Sequence, residues 1–420
     1  MRVLLVSHTV FSSTNNMGKT MASWFTDFSG EEVAQFYIQP ALPEGDFPCA
    51  NYYRVTDGDV LHALLGRKKT AREPAPEPSR GMQRLYRYGA GRSPGCYFLR
   101  NLLWRVSPWD KENLRGWVEA FSPEVIFLAA GDYGFLYDLA ADMARWTQKP
   151  LVMAWVDDYV SHPKGKGLLW KWEHRRFLRA VHRAMKQTAM LFAISEPMKA
   201  AYESRFGIPC RLLRTGTETV AASACKGRQL SYVGNLGLGR GEQLVQMGRI
   251  LQRHRGSGIP EWIDVYSREE NPRMCRRLNR EPGIRFHGGV TAEQVQTVFA
   301  DSLALIHTES FAQPFREKVR FSVSTKIPES LGKGPCLIAY GPEEAASIAY
   351  LQETGSAWVI TDPAQLEERL VKILREAPLR EEICRQARAT AQRNHSRKEN
   401  SAALRKSLEA VCKSREGAAL

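Results

Sequence analysis

The sequence has 420 residues, of which 43% are hydrophobic and 25% are charged. A chain of this length exceeds what one hydrophobic core usually carries, so two or three domains are expected. No apolar run approaches the roughly 18 residues of a membrane helix, which argues against a membrane-spanning protein. The eight cysteines include no C-x-x-C pair, which argues against a zinc site and favours reduced thiols in the cytoplasm.

The net charge of +14 is concentrated in two segments. Residues 66–115 carry twelve Lys/Arg against four acidic residues, and residues 164–187 carry eight against one. A concentrated basic surface attracts nucleic acid, anionic lipid or phosphorylated substrates, although it can also be a solvated face. In 164–187, apolar residues fall near one helical side and basic residues over much of the rest, which predicts an amphipathic helix.

The first strand-like run, "RVLLV", leads to Gly18-Lys19-Thr20, which resembles the end of a nucleotide-binding phosphate loop. The complete pattern, G-x-x-x-x-G-K-[ST], needs a glycine where Ser13 stands. Further on, "LVMAWVDD" (151–158) resembles the strand and acid that would hold magnesium. An ATPase therefore stays open at this point, but Gly18 could also approach a different phosphate through its backbone.

Strand-like and helix-like segments alternate along most of the chain. Continuous apolar strands between amphipathic helices indicate a parallel sheet covered on both faces. The pattern weakens after Thr215 and then restarts, which predicts two doubly wound, Rossmann-like α/β domains that face a cleft. The segments expected as strands are 2–6, 124–130, 150–156, 189–195, 230–234, 262–267, 284–288, 303–308, 336–341 and 357–361.

Two blocks of the second domain have the residue types that bind a diphosphate. The first, "YVGNLGLGRGEQL", places Arg240 after a glycine-rich turn, which suits an anion held by backbone amides and a guanidinium. Glu242 stands where a dinucleotide fingerprint needs its third glycine, so hydride transfer is disfavoured. The second, "FSVSTKIPESLGKGP", places Ser324, Thr325 and Lys326 before a short helix. Glu329 follows one turn later and can accept hydroxyl hydrogen bonds, as from a ribose.

With these motifs the second domain resembles the donor domain of retaining GT-B glycosyltransferases, the large polysaccharide-biosynthesis family also called glycosyl transferases group 1. The family's G-R-L-x-x-x-K-G is similar to the run from Gly234 and Asn235 to Arg240, in which Asn235 replaces the first cation. Its later S-K-x-x-E motif resembles Thr325-Lys326 and Glu329. Glu309, in "HTESF", resembles the family's first carboxylate but lies twenty residues before Glu329, which implies an insertion at about 312–322 or a different geometry.

The resemblance implies an α/β protein of GT-B architecture that moves a sugar from a UDP- or GDP-type nucleotide sugar to a hydroxyl acceptor, with retention and without a metal or other cofactor. It implies that Gly18 approaches the donor diphosphate and that Lys19 and Thr20 start the first helix. Asp157, Asp158, His162 and Glu309 are expected as catalytic residues. The expected donor-binding residues are Gly18, Gly234, Asn235, Arg240, Ser324, Thr325, Lys326 and Glu329. "DGD" at 57–59 is interpreted as a turn rather than a metal motif.

The predicted organisation has an acceptor-side domain at 1–218 with a basic insertion at about 54–115, a donor domain at 219–377, and helices at 378–420 that pack back toward the first domain. A glycan or lipid-linked acceptor of bacterial polysaccharide or glycolipid synthesis is expected as a partner. The basic segments also predict an anionic membrane surface, which would place the protein in the cytoplasm, peripherally at the inner face of the membrane. A nucleic acid is disfavoured. An epimerase on the same fold, an ATPase and a basic nucleic-acid-binding protein stay open as alternatives.

Overall fold

The computed structural model describes residues 1–13, 15–66, 93–219 and 227–417. Two compact units divide the chain, one of Met1–Leu213 with Ser401–Leu420 and the other of Arg214–Asn400. The sequence placed the corresponding boundaries at 218/219 and 377/378. The final helix therefore contributes to the first unit only from Ser401 onward, and the helix before it belongs to the second unit.

In the described part of the first unit, a seven-stranded parallel sheet has the order β3-β2-β1-β4-β5-β6-β7. Its centre is apolar on both faces, and every residue of β1, β2, β4 and β5 is buried. The sheet therefore needs helices on both sides. The strands are β1 Val3–Ser7, β2 Val33–Tyr37, β3 Asn51–Arg54, β4 Val125–Ala129, β5 Leu151–Trp155, β6 Thr188–Ala193 and β7 Cys210–Leu212.

Most of the described helices that flank this sheet begin beside a residue whose side chain caps them. Asn15, for example, accepts hydrogen bonds from Met17 N and Gly18 N at the start of the first helix, which satisfies donors that a helix leaves free there. The helices are α1 Asn16–Trp24, α2 Asp57–Leu64, α3 Pro94–Val106, α4 Lys111–Phe121, α5 Gly134–Thr147, α6 Leu168–Met185 and α7 Glu196–Phe206. Of the predicted basic insertion, residues 67–92 lie outside the described residues.

In the described part of the second unit, six parallel strands have the order β10-β9-β8-β11-β12-β13. The chain order reverses beside β8, because β9 and β10 lie on one side of it and β11 to β13 on the other. Open sheets bind ligands at the carboxyl ends of strands at such a point. The strands are β8 Gln229–Val233, β9 Ile263–Tyr266, β10 Ile284–Gly288, β11 Ser302–Thr308, β12 Cys336–Tyr340 and β13 Trp358–Ile360.

The predicted capping box is present at the start of the helix before β11, where the side chains of Thr291 and Gln294 bond each other's backbone N–H groups. In chain order, the described helices after β8 are α8 Arg240–Arg253, α9 Pro272–Arg280, α10 Ala292–Asp301, α11 Gln313–Val319, α12 Ile327–Lys333, α13 Ala346–Glu353, α14 Leu366–Arg375, α15 Ala377–His395 and α16 Arg397–Gly417. A 3-10 turn lies at Pro363–Gln365. None of the described helices combines the length and hydropathy that crossing a bilayer requires.

The "DGD" segment is not a turn, so that interpretation is wrong. Asp57, Gly58 and Asp59 form the first turn of α2, where Asp59 and Thr56 complete a capping box. Asp57 accepts hydrogen bonds from Arg100 Nε at 2.8 Å and from Trp104 Nε1 at 2.6 Å. Both carboxylates thus have structural partners within the first unit.

Candidate active site

Glycines allow close backbone contacts in the turn between β8 and α8. Gly234 N donates to Tyr266 O at 3.0 Å, and a Cβ at Gly234 would lie 2.7 Å from the Tyr232 hydroxyl. Asn235 Oδ1 accepts from Gly237 N at 2.6 Å. Gly239 has a φ of +78°, in the left-handed region that glycine adopts at little cost. The turn therefore delivers the next residue, the first of α8, to the carboxyl end of β8.

That residue, Arg240, forms a bidentate ion pair with Glu309, the residue that follows β11. Arg240 Nε donates to Glu309 Oε2 at 3.0 Å, and its terminal nitrogen donates to Oε1 at 2.9 Å. The Glu309 side chain is only 2% exposed, whereas that of Arg240 is 19% exposed. Because β8 and β11 are neighbours, their carboxyl ends bring together two residues that the sequence had proposed separately.

His307 lies behind this pair. Its Nε2 is 3.6 Å from Glu309 Oε1. Burial and the nearby Arg240 lower the pKa of His307 to about 3, so the imidazole is neutral. Burial raises the pKa of Glu309, and Arg240 opposes that rise. The guanidinium thus favours the charged form of a carboxylate that burial would neutralise.

The segment before α12 brings a second cation to the same edge. Lys326 Nζ donates to Val233 O, the last residue of β8, at 3.2 Å. Ser324 Oγ accepts from Lys326 N at 3.4 Å, and Ser324 N donates to Ser347 Oγ at 3.1 Å. Thr325 lies between them, half-buried. Lys326 and Arg240 therefore both lie where β8 ends, as an anion site requires.

Glu329 occupies the third position of α12. Its Oε1 accepts a hydrogen bond from Gln296 Nε2 of α10 at 3.2 Å. Glu329 is half-buried and Gln296 is exposed. The carboxylate therefore keeps lone pairs available at the surface, which a ribose contact would use.

Gly18 lies within α1 rather than before it. The helix begins at Asn16, so the expectation that Lys19 and Thr20 start it is wrong. A Cβ at Gly18 would lie 2.7 Å from Ser12 N and 2.8 Å from Val10 O, so close packing requires the glycine. Thr20, whose hydroxyl would hold magnesium in a phosphate loop, is buried. This geometry disfavours the ATPase alternative.

The acidic pair after β5 divides into a structural and an exposed residue. Asp158 Oδ1 accepts from Val160 N and Ser161 N, both at 3.1 Å, and from the Tyr202 hydroxyl at 2.9 Å. Asp158 therefore shapes the loop. Asp157 and His162 are exposed on that loop.

Comparison with known proteins gives a partial family match and a common fold. Residues 248–406 match the model of a family described as glycosyl transferase-like. HepE of Anabaena, solved with UDP-glucose, shares 12% identity at a TM-score of 0.62, over 98% of this chain and 100% of that one. No curated protein sequence matches significantly. The chain therefore has the GT-B fold, and its residues 248–406 are similar to the glycosyl transferase-like family.

Other solved structures share this fold. Trehalose-6-phosphate synthase of Burkholderia multivorans is 13% identical at a TM-score of 0.61, over the full length of both chains. Sucrose-phosphate synthase of Thermosynechococcus elongatus is 10% identical at a TM-score of 0.61, over 99% of this chain and 100% of that one. At such identities the likeness concerns the fold and leaves the substrates to be argued from the site.

At the carboxyl end of the first sheet lies a polar cluster that the sequence did not predict. His8, directly after β1, stacks on Tyr133, which lies after β4, with ring centroids 4.9 Å apart. Asp132 Oδ2 accepts from the Tyr97 hydroxyl and from Lys164 Nζ, both at 2.8 Å. Burial is the main cause that lowers the pKa of His8 to about 4. In the sequence, the polar residues that follow the apolar strands β1 and β4 were the signal that could have indicated this cluster.

Among the described residues, no group of three or more His, Cys, Asp and Glu side chains is arranged to hold a metal ion. For a diphosphate, the second unit provides two cations, Arg240 and Lys326, and a glycine-rich turn.

Proposed function

We propose that the enzyme transfers a sugar from a UDP-sugar to a hydroxyl acceptor, with retention of the anomeric configuration and without a metal. One observation carries the proposal: Arg240, which pairs with the buried Glu309, and Lys326, which donates to Val233 O, both lie at the carboxyl end of β8. In this reaction the bond from the anomeric carbon to the diphosphate breaks, and the acceptor oxygen takes its place and loses its proton. Cations at the leaving diphosphate stabilise the charge that develops there.

The remaining site residues take roles that fit their surroundings. Gly234 and Asn235 shape the phosphate turn, and Ser324 and Thr325 position Lys326. Glu329 accepts the ribose hydroxyls. Retention and metal independence rest on the resemblance of the second unit to retaining enzymes, and the uridine base rests on the UDP-glucose complex of HepE.

On the acceptor side, Asp157 and His162 are exposed and able to orient a hydroxyl, while Asp158 holds their loop. Gly18 keeps α1 close to the loop after β1, so that the backbone there can approach the donor. Glu309 remains proposed as the family's first carboxylate, acting through Arg240.

The acceptor side also supports a lipid-linked acceptor at the inner face of a bacterial membrane. On α6, Leu168 and Leu169 are 83% and 68% exposed, and Trp172 is exposed beside Phe98 of α3. Basic residues share this helix. Apolar and basic side chains on one exposed helix suit an anionic bilayer surface.

Binding of nucleotides to the full chain tests the donor assignment. At a hundred times its Kd, UDP should stabilise the protein by about 2.7 kcal/mol, and GDP should do so less. Arg240→Ala should reduce the UDP effect, while Arg385→Ala, an exposed cation elsewhere in the second unit, should keep it. Loss of UDP binding in EDTA, restored by magnesium or manganese, would overturn metal independence. Proton NMR of the product gives the anomeric configuration directly.

A further inference from the structure

A groove on the second unit, away from the residues discussed so far, is lined almost wholly by arginine. On α9, Arg273, Arg276, Arg277 and Arg280 follow the spacing i, i+3, i+4, i+7, which places them on one helical face. All four are exposed. With Arg249 of α8 and Glu281 they line a groove of about 480 Å³.

The arginine side chains are only partly neutralised. Arg277 pairs with Glu242 at 2.5 Å and Arg249 with Glu281 at 3.1 Å. Among the described residues, the remaining three arginines of α9 have no carboxylate within ion-pair distance. Like charges at i, i+4 destabilise a helix, and a helix of nine residues has little stability of its own. This stripe is therefore unfavourable for α9 unless an anion occupies the groove.

Packing beneath the stripe holds the arginines in place. Leu278 is fully buried, and Met274 packs so closely on α8 that a Cβ at Gly241 would lie 2.7 Å from its Sδ. The helix is thus fixed against α8 by its apolar side. The guanidinium groups project from a rigid base, which lowers the cost of ordering them around a ligand.

We propose that this groove binds an acidic glycan chain, so that it is an exosite for an acceptor that carries carboxylate or other planar anionic groups. The proposal rests on the glycosyltransferase function. Every cation in the groove is an arginine, whose planar fork matches such anions in bidentate fashion. From Arg273 to Arg280 the stripe spans about 10 Å along the helix axis, enough for several anionic groups in a row.

Other polyanions fit the groove less well. The exposed large apolar residues of the described chain are Leu42, Leu64, Leu65, Leu99, Val106, Leu168, Leu169 and Trp172, all in the first unit, so the groove lacks what inserts into a bilayer. No aromatic side chain lines it, whereas single-stranded nucleic acids are usually bound by aromatic stacking. The concave shape of the groove also suits a glycan chain better than the flat surface of a bilayer.

The test measures binding of fluorescent octagalacturonate to the full-length protein, with malto-octaose and an eight-nucleotide single-stranded DNA as comparison ligands. The charge-neutralising variant is Arg273→Gln, Arg276→Gln, Arg280→Gln. The matched control, with the same change in net charge, is Lys372→Gln, Arg375→Gln, Arg393→Gln on exposed positions of α14 and α15. Melting temperature and UDP affinity are measured for both.

We expect the wild type to bind octagalacturonate in a salt-dependent manner and to ignore malto-octaose. The α9 variant should lose about tenfold or more in affinity, the control should change little, and UDP affinity should stay the same in both. Equal loss in both variants, or DNA binding as tight as that of octagalacturonate, would overturn the glycan exosite. Loss of UDP binding by the wild type would instead overturn the proposed donor function, so the two failures are distinguishable.

Discussion

The ion pair between Arg240 and Glu309 allows a sharp test, because stability and donor binding depend on it in different ways. Arg240→Ala leaves a carboxylate that is 2% exposed without its bidentate partner. Breaking a buried pair from one side costs about 3–5 kcal/mol, and protonation of Glu309 should hold the loss near about 3 kcal/mol. For units of this size the expected fall in melting temperature is about 6–12 °C.

The same change should weaken UDP binding. Hydrogen bonds to a charged group contribute about 1.5–3 kcal/mol, so Kd should rise by about 10- to 150-fold. Adding Glu309→Gln to Arg240→Ala removes the unpaired charge and should recover much of the stability. It supplies no cation, so UDP affinity should stay low. Thermal denaturation and titration calorimetry on the two single variants and the double variant separate these effects.

The pH dependence of the Arg240→Ala variant provides an internal check. Arg240 opposes the burial that raises the pKa of Glu309, so its removal raises this pKa further. A carboxyl group whose pKa is raised by folding contributes stability at low pH that is lost as the pH rises through the folded value. The deficit relative to the wild type should therefore be larger at pH 8 than at pH 5. Recovery of UDP affinity together with stability in the double variant would refute Arg240 as a diphosphate ligand.

Three further changes have defined outcomes. Glu329→Ala should weaken UDP binding about 2- to 12-fold, for a lost bond of about 0.5–1.5 kcal/mol, whereas Glu329→Gln should weaken it less; equal, negligible effects would exclude the ribose role. Leu168→Ser with Leu169→Ser should reduce binding to phosphatidylglycerol vesicles at low salt and leave UDP affinity intact; a wild type that ignores these vesicles would refute the membrane surface. Burial lowers the pKa of His395 to about 4, so stability should fall as the pH drops from about 6.5 toward 4, and a His395→Gln variant that falls equally would contradict this cause.

The strands that the sequence predicted are those with continuous apolar runs, and the exceptions have physical causes. β2 was missed because Gln35 interrupts its apolar residues. This buried side chain donates to Ser7 Oγ at 2.9 Å and accepts from Phe11 N, so tertiary contacts satisfy a residue that disfavours a strand locally. β3 is an edge strand with polar ends. α9 was missed because its apolar face consists of little more than Met274 and Leu278, although its four arginines share the opposite face.

At the site, the sequence located residues but not their partners. Arg240 and Glu309 are 69 residues apart in the sequence, and a sequence pattern does not give the distance between them in the folded protein. In the same way, Asp158 reads as a polar strand end, yet its bond to the Tyr202 hydroxyl makes it a loop-shaping residue. Residue type and position after a strand were sufficient to propose candidates. Whether a candidate is a charged site residue, a structural residue or an exposed one depends on its burial, and burial is known only once the sheet and its helices have packed.

Glu309 and Glu329 are separated by twenty positions, and the sheet fixes the place of Glu309 independently of the segment between them. Glu309 N donates to Tyr340 O at 2.9 Å, which extends the pairing of β11 with β12 by one residue. A Cβ at Gly341 would lie 3.0 Å from Glu309 Cβ, so the neighbouring strand fixes this residue from the side. The extra chain, with the helix α11, begins only after that point. The position of Glu309 is thus set by the sheet, and the length of the segment that follows is free to vary.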